Sequence, residues 1–406
     1  MTEYLIAIES QYCATNYHPM PVVLERGKGV HVWDVDGNRY LDFLSAYSAV
    51  NQGHAHPKIL EALHSQAERL TLTSRAFHNT LLGEYAKYVT GLFDYDRVLP
   101  MNTGVEGGET AVKLCRRWGY DVKGVPKNQA TVLFCEANFW GRSLAACSSS
   151  SDPSCRNGFG PFMSHFELVP HGDLAALEAK LVANENIAGF MLEPIQGEAG
   201  VVIPRDGYLA GVRELCTRYN VLMIADEVQT GLGRTGRMLA VDHEEVRPDL
   251  VVLGKALSGG VVPVSAVLGN DEVMLTIHPG EHGSTYGGNP LACAVAMAAL
   301  RVVEEEKLAA NAQVMGERLR AGLRRIAHPA LATIRGRGLL NAIVIDEEQS
   351  GGKTANDLCL ALMGAGLLTK TTHGHIIRLA PPLVINADQV DEAVAIIERE
   401  VRRVFG

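Results

Sequence analysis

Two apolar runs near the middle of the chain set its pattern. Val221 to Ala225 leads into an acid, Asp226, and Leu250 to Leu253 leads through Gly254 into a lysine, Lys255. Each run is short, rich in β-formers and bounded by polar residues or glycine, which predicts a buried parallel strand. The same rhythm extends along the chain. A strand is expected over Arg97 to Met101, a helix in TGVEGGETAVKLCRRW, and a strand over Ala130 to Cys135. A Ser-rich loop at 147–161 follows, then a helix near 173–183, a strand over Ala188 to Glu193 and a helix at 207–219. Such alternation from about 80 to 290 predicts an α/β fold, a mainly parallel sheet with helices on both faces.

The ends differ from this middle. TNYHPMPVVLERGKG carries two prolines close together and reads as extended chain. Val30 to Trp33 and Arg39 to Phe43 flank Asp36-Gly37, a hairpin signal. His54 and His56 stand just before Pro57 and a helical pattern (Ile59, Leu60, Leu63, Ala67, Leu70). Two histidines fall short of a metal-ligand set, so this is read as a loop entering a helix, with no metal site. Beyond the Gly-rich PGEHGSTYGGNP, helices are expected at 291–306 and 309–325, strands near 333–345 and 376–379, and a last helix at 387–404. That tail reads as a smaller α+β domain.

The bulk numbers narrow the function classes. The chain has 406 residues, 47% hydrophobic and 20% charged, enough for two domains and a large core. A formal net charge of −9 argues against a nucleic-acid partner. No apolar run reaches about 18 residues, so no membrane span is expected. The first residues, MTEYLIAIESQYCATNY, lack a basic region followed by an apolar core, so no signal peptide is read. The eight cysteines include no CxxC pair, which points to a reducing compartment. A cytoplasmic location is expected, or the mitochondrial matrix if a presequence has been removed. Cys147 and Cys155 bracket SSSSDPS, and whether they form a redox-sensitive pair is left open.

Candidate chemistry starts at the two strand ends. Ligands in open α/β sheets sit beyond the carboxyl ends of the strands, so Asp226 and Lys255 should share one crevice. An acid and a lysine there suit pyridoxal phosphate: the lysine forms the Schiff base and the acid keeps the pyridine nitrogen protonated. Asp226 alone could equally be a helix cap, and Lys255 alone a solvated charge. Lys255 is not a nucleotide-loop lysine, because Asp249 and Ala256 break that motif. The segment from Asn102 to Glu106 offers small residues and a helix start to an anion, and Thr285 could add a hydroxyl. Either Phe139 or Trp140 could stack on a planar ring, the alternative being core packing. Arg142 and Arg378 are read as carboxylate binders or as structural ion pairs.

Taken together, TGVEGGETAVK, NFWGR, EPIQGEAG, ADEVQTGLGRTG, LGKALSGG, GSTYGGNP and IIRLAPP resemble the class III aminotransferases of pyridoxal phosphate fold type I. The resemblance runs from about Asn16 to the last helix. It implies a seven-stranded, mainly parallel central sheet and three parts: an N-terminal segment 1–45 packing on the small domain, a cofactor-binding domain 46–287 and a small domain 288–406. It implies that Lys255 is the Schiff-base lysine and proton shuttle, that Asp226 pairs with the pyridine nitrogen, and that Gln229 bonds the ring oxygen. Phe139 would stack on one face of the ring and Val228 on the other. Gly104 and Val105 would donate backbone N–H groups to the phosphate. Ser284 and Thr285 would reach it from a second subunit, which implies a homodimer with shared active sites. Gly108 stands where many relatives carry a larger small residue such as alanine.

NYHP, FLSAYSAVNQGH and SRAF narrow the resemblance to the branch that moves the δ-amine of L-ornithine to 2-oxoglutarate, with a place in ornithine, arginine and proline interconversion. There Tyr17 and Arg142 would hold the α-amine and α-carboxylate of ornithine, and Tyr47 would wall the pocket. Glu198 would mask Arg378 in the first half-reaction and release it to 2-oxoglutarate in the second, a ping-pong scheme. The competing expectations are an N-acetylornithine or 4-aminobutyrate aminotransferase, which Tyr17 with Tyr47 disfavours. A mutase or decarboxylase would not need paired arginines, and a non-enzymatic scaffold would not need Lys255, Asp226 and Arg142 together.

Overall fold

The central sheet forms where the sequence places its unbroken apolar runs. A computed structural model describes residues 1–406. Seven strands lie side by side in the order Arg97–Met101, Ser265–Gly269, Leu250–Leu253, Leu222–Asp226, Ile187–Leu192, Thr131–Cys135 and Phe166–Val169. From Leu250–Leu253 to Phe166–Val169 every neighbouring pair is parallel. Ser265–Gly269 runs antiparallel to both its neighbours. The fold is therefore the expected α/β arrangement, with apolar layers on both faces of the sheet. Met223, Ala225, Val251 and Leu253 point into one layer; Leu222, Ile224, Leu250 and Val252 point into the other. Two buried faces explain why these strands read as continuous apolar runs without polar alternation.

Two strands of this sheet escape the sequence reading, as do the short strands Leu367–Leu368 and Lys370–Thr372 nearer the C-terminus. Ser265–Gly269 sits between glycine- and proline-rich segments, and Phe166–Val169 is a short edge strand only partly buried. The expected Ser-rich loop at 147–161 is also corrected. Helices at Leu144–Ser149 and Pro153–Arg156 occupy part of it. Ser143 caps the first through Ala146 N–H and Asp152 caps the second through Ser154 N–H. Arg156 then donates to the carbonyls of Cys147, Ser148 and Ser150 at the first helix's end, where the Ser150 N–H also reaches Cys147. Cys147 and Cys155 are both buried and both free. Each thiol lies near its own oxygen partner, Arg142 O at 3.7 Å and Asp152 Oδ2 at 3.9 Å.

The chain's two ends meet. Arg39–Asp42 pairs in parallel with Leu367–Leu368, placing Leu41 opposite Leu367. A four-stranded antiparallel sheet holds Leu331–Arg337, Leu340–Ile345, Ile376–Leu379 and Lys370–Thr372. Val30, Leu41 and Phe43 share one apolar cluster with Ile343, Ile377 and the helices Leu308–Arg325 and Ala387–Phe405. The N-terminal strands thus pack on the C-terminal part of the chain, while helix Pro290–Glu305 contributes to this cluster and to one against the central sheet. His54 bonds Asp42 at 2.7 Å and His56 bonds Glu306 at 3.1 Å, ahead of the helix Pro57–Ala67.

Helix Leu308–Arg325 presses against the turn at Gly338. A Cβ at Gly316 would lie 1.7 Å from the Gly338 carbonyl oxygen. Gly316→Ala should therefore destabilise the protein by roughly 1–3 kcal/mol, overriding the better helix propensity of alanine. A thermal melt that rises or stays unchanged would refute this account of the contact.

Candidate active site

Strand register places the first two functional groups. Asp226 lies opposite Val252 in the parallel pair, and the chain runs on through Gly254 to Lys255. Both side chains open into one cavity of about 230 Å³. Gly104, Val105, Phe139, Val228 and Gln229 line it as well, together with Trp140, Gly141 and Glu193.

The cavity floor is the start of helix Gly104–Trp118. Thr103 accepts from Glu106 N–H, while Glu106 Oε2 accepts from the N–H groups of Asn102 and Thr103. This reciprocal cap fixes where the helix begins and leaves the N–H groups of Gly104 and Val105 for an anion. A Cβ at Gly104 would meet Val228 at 2.9 Å. Only a glycine lets Val228 lie this close above the helix start.

The choice between the adjacent aromatics is resolved by packing. Trp140 stacks on Phe134 at 5.8 Å and donates its indole N–H to Ser149. It belongs to the core, although its edge reaches the cavity wall. A Cβ at Gly108 would lie 2.5 Å from the Trp140 ring, so the glycine makes room for this tryptophan. Phe139, facing the other way, is left to line the cavity. At Gly141 the backbone adopts φ +140°, and a Cβ there would collide with Val105. The NFWGR segment can cross the helix start only because that residue is glycine.

Burial dominates the electrostatics. Asp226 is raised to about 6, first by desolvation, with the Val228 N–H bond and the Lys255 charge opposing. Lys255 is lowered to about 8, again first by desolvation, with Asp226 opposing. Glu193 is raised to about 8 by burial and then by the charge of Asp226. Lys255 makes no hydrogen bond or ion pair within the chain, and Asp226 makes one, from Val228 N–H to Oδ1 at 3.0 Å. Glu193 was not singled out in the sequence. The signal was the same as for Asp226, an acid at the carboxyl end of an apolar strand.

A second cluster lies close enough for its charges to act on Lys255. Arg378, 4% exposed, pairs with Glu198 through Nη1 and Oε2 at 2.6 Å. Its guanidinium lies 4.8 Å from the Tyr47 ring centroid. Thr372 Oγ1 donates to the Glu198 carbonyl at 2.8 Å. Tyr47 is presented by an unusual turn: Ser45, Ala46, Tyr47 and Ser48 have φ of 49°, 45°, 58° and 72°. Left-handed backbone costs about 1–2 kcal/mol per non-glycine residue. Asp42 Oδ1 stabilises the turn by accepting from Leu44 and Ser45 N–H. The Tyr47 phenol is held above its ordinary value by burial, with Arg378 opposing and Glu198 and Tyr17 adding. Tyr17 is thus near Tyr47, yet 71% exposed in the single chain.

The remaining expected residues flank this centre. The Arg142 guanidinium carbon is 5.8 Å from the Phe139 ring centroid and has no ion-pair partner. Ser284 and Thr285 line a separate cavity over Val105 and Glu106. Within the chain Ser284 Oγ accepts from Asn102 Nδ2 at 2.9 Å.

A helix N-terminus suits a phosphate, a cavity lined by Phe139 and Val228 suits an aromatic ring, and a buried carboxylate and a buried amine in that cavity suit a basic ring nitrogen and an aldehyde. Those demands match pyridoxal phosphate, and the class defined is a pyridoxal phosphate transferase of fold type I. The chain belongs to the class III aminotransferases: the family model described as aminotransferase class-III matches residues 12–401.

Among relatives, the rat protein named ornithine aminotransferase, mitochondrial, is 62% identical over 400 residues, 98% of this chain and 90% of that one. The Drosophila melanogaster protein of the same name is also 62% identical, covering 98% of this chain and 92% of that one. The crystal structure of the ornithine aminotransferase from Toxoplasma gondii ME49 superposes with a TM-score of 0.97 at 49% identity, covering 100% of this chain and 96% of that one. An acetylornithine aminotransferase from Elizabethkingia anophelis gives a TM-score of 0.90 at 53% identity, over 99% of each chain.

The raised Asp226 carboxyl has a measurable consequence in cofactor-free protein. Its folded value, about 6, exceeds the ordinary 3.8, so the folded state keeps the proton longer than the unfolded chain does. Stability from this group is full below about pH 4 and is lost as pH rises to about 6. Across that window wild type should lose on the order of 2–3 kcal/mol relative to Asp226→Asn. Denaturant melts at several pH values check this; parallel pH slopes for the two proteins would contradict it.

Proposed function

We propose that this chain is an L-ornithine δ-aminotransferase, converting L-ornithine and 2-oxoglutarate to L-glutamate 5-semialdehyde and L-glutamate. The observation that carries the reading is the Glu198–Arg378 pair closed against Tyr47. Arg378 is a buried cation whose Nε lacks a partner, so it needs an anion at every stage. Glu198 supplies one when the donor is an ω-amine. A substrate carboxylate can supply it when Glu198 swings away. One site then accepts an amine remote from a carboxylate and an α-keto acid in turn.

Pyridoxal phosphate, when bound, supplies an electron sink for the carbanion left by proton removal. The chain supplies the rest. Gly104 and Val105 N–H groups would hold the phosphate, with Ser284 and Thr285 of a partner subunit. Asp226 would keep the ring nitrogen protonated, Gln229 would bond the ring oxygen, and Phe139 and Val228 would hold the ring flat. Arg142 would bind the ornithine α-carboxylate and Tyr17 its α-amine, which presents the δ-carbon to Lys255. The lowered Lys255 leaves its Nζ partly neutral near pH 8, as a general base requires. Nζ would take the proton from the δ-carbon, and in the second half-reaction would return one to the α-carbon that becomes glutamate.

A homodimer with shared sites is part of the proposal. Tyr286 is exposed in the single chain and adjoins Thr285 at the rim of the cavity over Val105 and Glu106, which supports a partner on this face. No helix is long and apolar enough to cross a membrane. Since the rat and Drosophila relatives are named mitochondrial, a matrix location is proposed alongside the cytoplasmic one.

The second reading, an N-acetylornithine aminotransferase, rests on the Elizabethkingia likeness. Single-turnover absorbance of the loaded enzyme separates the two. L-Ornithine should discharge the cofactor's visible band, and 2-oxoglutarate should restore it, while 4-aminobutyrate and N-acetylornithine act at least about tenfold more slowly. A faster response to N-acetylornithine would replace the first reading with the second. Lys255→Ala should abolish turnover, and a normal rate would refute its role.

A further inference from the structure

Glu193 makes contacts that no role described so far uses. Its carboxylate lies at the end of strand Ile187–Leu192, beside the cavity, and is buried. Oε1 accepts from Phe139 N–H at 2.9 Å. Oε2 accepts from Gly197 N–H at 3.3 Å. One side chain therefore joins two segments far apart in sequence: the one carrying the ring-stacking Phe139, and the one carrying Glu198.

The Gly197 end is tightly fixed. A Cβ there would lie 1.7 Å from Gln229 Oε1, so the Gly197 backbone packs directly against the Gln229 amide. The neighbouring Gln196 donates its side-chain amide to the Glu136 carbonyl at 2.7 Å. The next residue, Glu198, is held at its carbonyl by Thr372 and at its carboxylate by Arg378. Two of these ties lead from the Glu198 segment to the Phe139 segment, the Gln196–Glu136 bond and the Glu193 bridge, and only the bridge holds the backbone amide of Gly197, next to Glu198.

We propose that Glu193 is a positioning residue whose two oxygens tie the Phe139 segment to the Glu198 segment, and so favour the closed Glu198–Arg378 pair that selects an ω-amine donor. The proposal deepens the aminotransferase reading and rests on it. Its physical basis is that both oxygens of a carboxyl group keep lone pairs for accepting, protonated or ionised, and both are used. Glutamine keeps the shape but has one acceptor. Its NH₂ would face a backbone N–H, so one tie must break. The shorter Phe139 bond should survive and the Gly197 bond should go. The Glu198 segment then loosens, and Arg378 is masked less of the time.

The test compares wild type with Glu193→Gln and Glu193→Asp as loaded enzymes. Half-reactions are measured separately with L-ornithine and with L-glutamate as donors. In Glu193→Gln, KM for glutamate should fall and KM for ornithine should rise, moving the ratio of the two kcat/KM values roughly tenfold toward glutamate. Glu193→Asp keeps the carboxyl group but is too short to span both amides, and should shift the ratio in the same direction. Amide hydrogen exchange gives a readout independent of turnover: peptides covering Gly197 should exchange faster in both variants, while those covering Gly104 should not. Equal loss in both half-reactions, a wild-type ratio in Glu193→Asp, or unchanged exchange at Gly197 would overturn the proposal. If wild type failed to use ornithine, the function reading would fall, while the exchange result would still decide whether Glu193 makes the tie.

Discussion

The site depends on holding a buried acid and a buried amine in one cavity without letting them neutralise each other. Asp226 and Lys255 sit at the carboxyl ends of adjacent strands, so the sheet itself sets their separation. Burial raises one and lowers the other. Two such groups are costly in the empty protein and useful once a ligand with complementary charge occupies the space between them. The surrounding glycines follow from the same need. Gly104, Gly141 and Gly197 are where the backbone approaches Val228, Val105 and Gln229 more closely than a Cβ would allow.

The cluster around Arg378 applies the same constraint to a cation. Arg378 comes from the smaller antiparallel sheet and is almost fully buried, so its charge must always be matched. The left-handed turn at Ser45–Ser48 brings Tyr47 over it, and the strain in that turn is offset partly by Asp42. Strained backbone of this kind persists where the surroundings over-determine it. Here the surroundings include the pairing of Arg39–Asp42 with Leu367–Leu368, which joins the N-terminal segment to the sheet region that carries Arg378. The proposed choice between donor and acceptor thus couples the two ends of the chain to the central sheet.

Much of the fold and site is legible in the sequence because it is written in short-range patterns. Strand ends are marked by apolar runs that stop, and this pattern alone puts Asp226 and Lys255 at one edge of the sheet. The helix start at Gly104 is marked by its small residues and Glu106. Other features lack a local mark. Phe139 and Trp140 are neighbours of similar character, and only the position of Gly108 and Ser149 decides which one enters the core. The turn at Ser45–Ser48 contains no glycine to announce its positive φ values. The helices inside the Ser-rich segment depend on Arg156 reaching back to three carbonyls, a contact that composition hides. Glu193 carries the right signal, but its meaning lies in which two backbone amides it meets.

The central claim is that Glu198 and a substrate carboxylate compete for one buried guanidinium. Glu198→Gln tests it most directly, with kcat/KM measured for L-ornithine and L-glutamate as donors on the loaded enzyme. The account predicts that glutamate gains on ornithine by at least roughly tenfold, because Arg378 no longer has an internal anion to mask it. An unchanged ratio would show that the pair seen between Glu198 and Arg378 has no part in selecting the substrate.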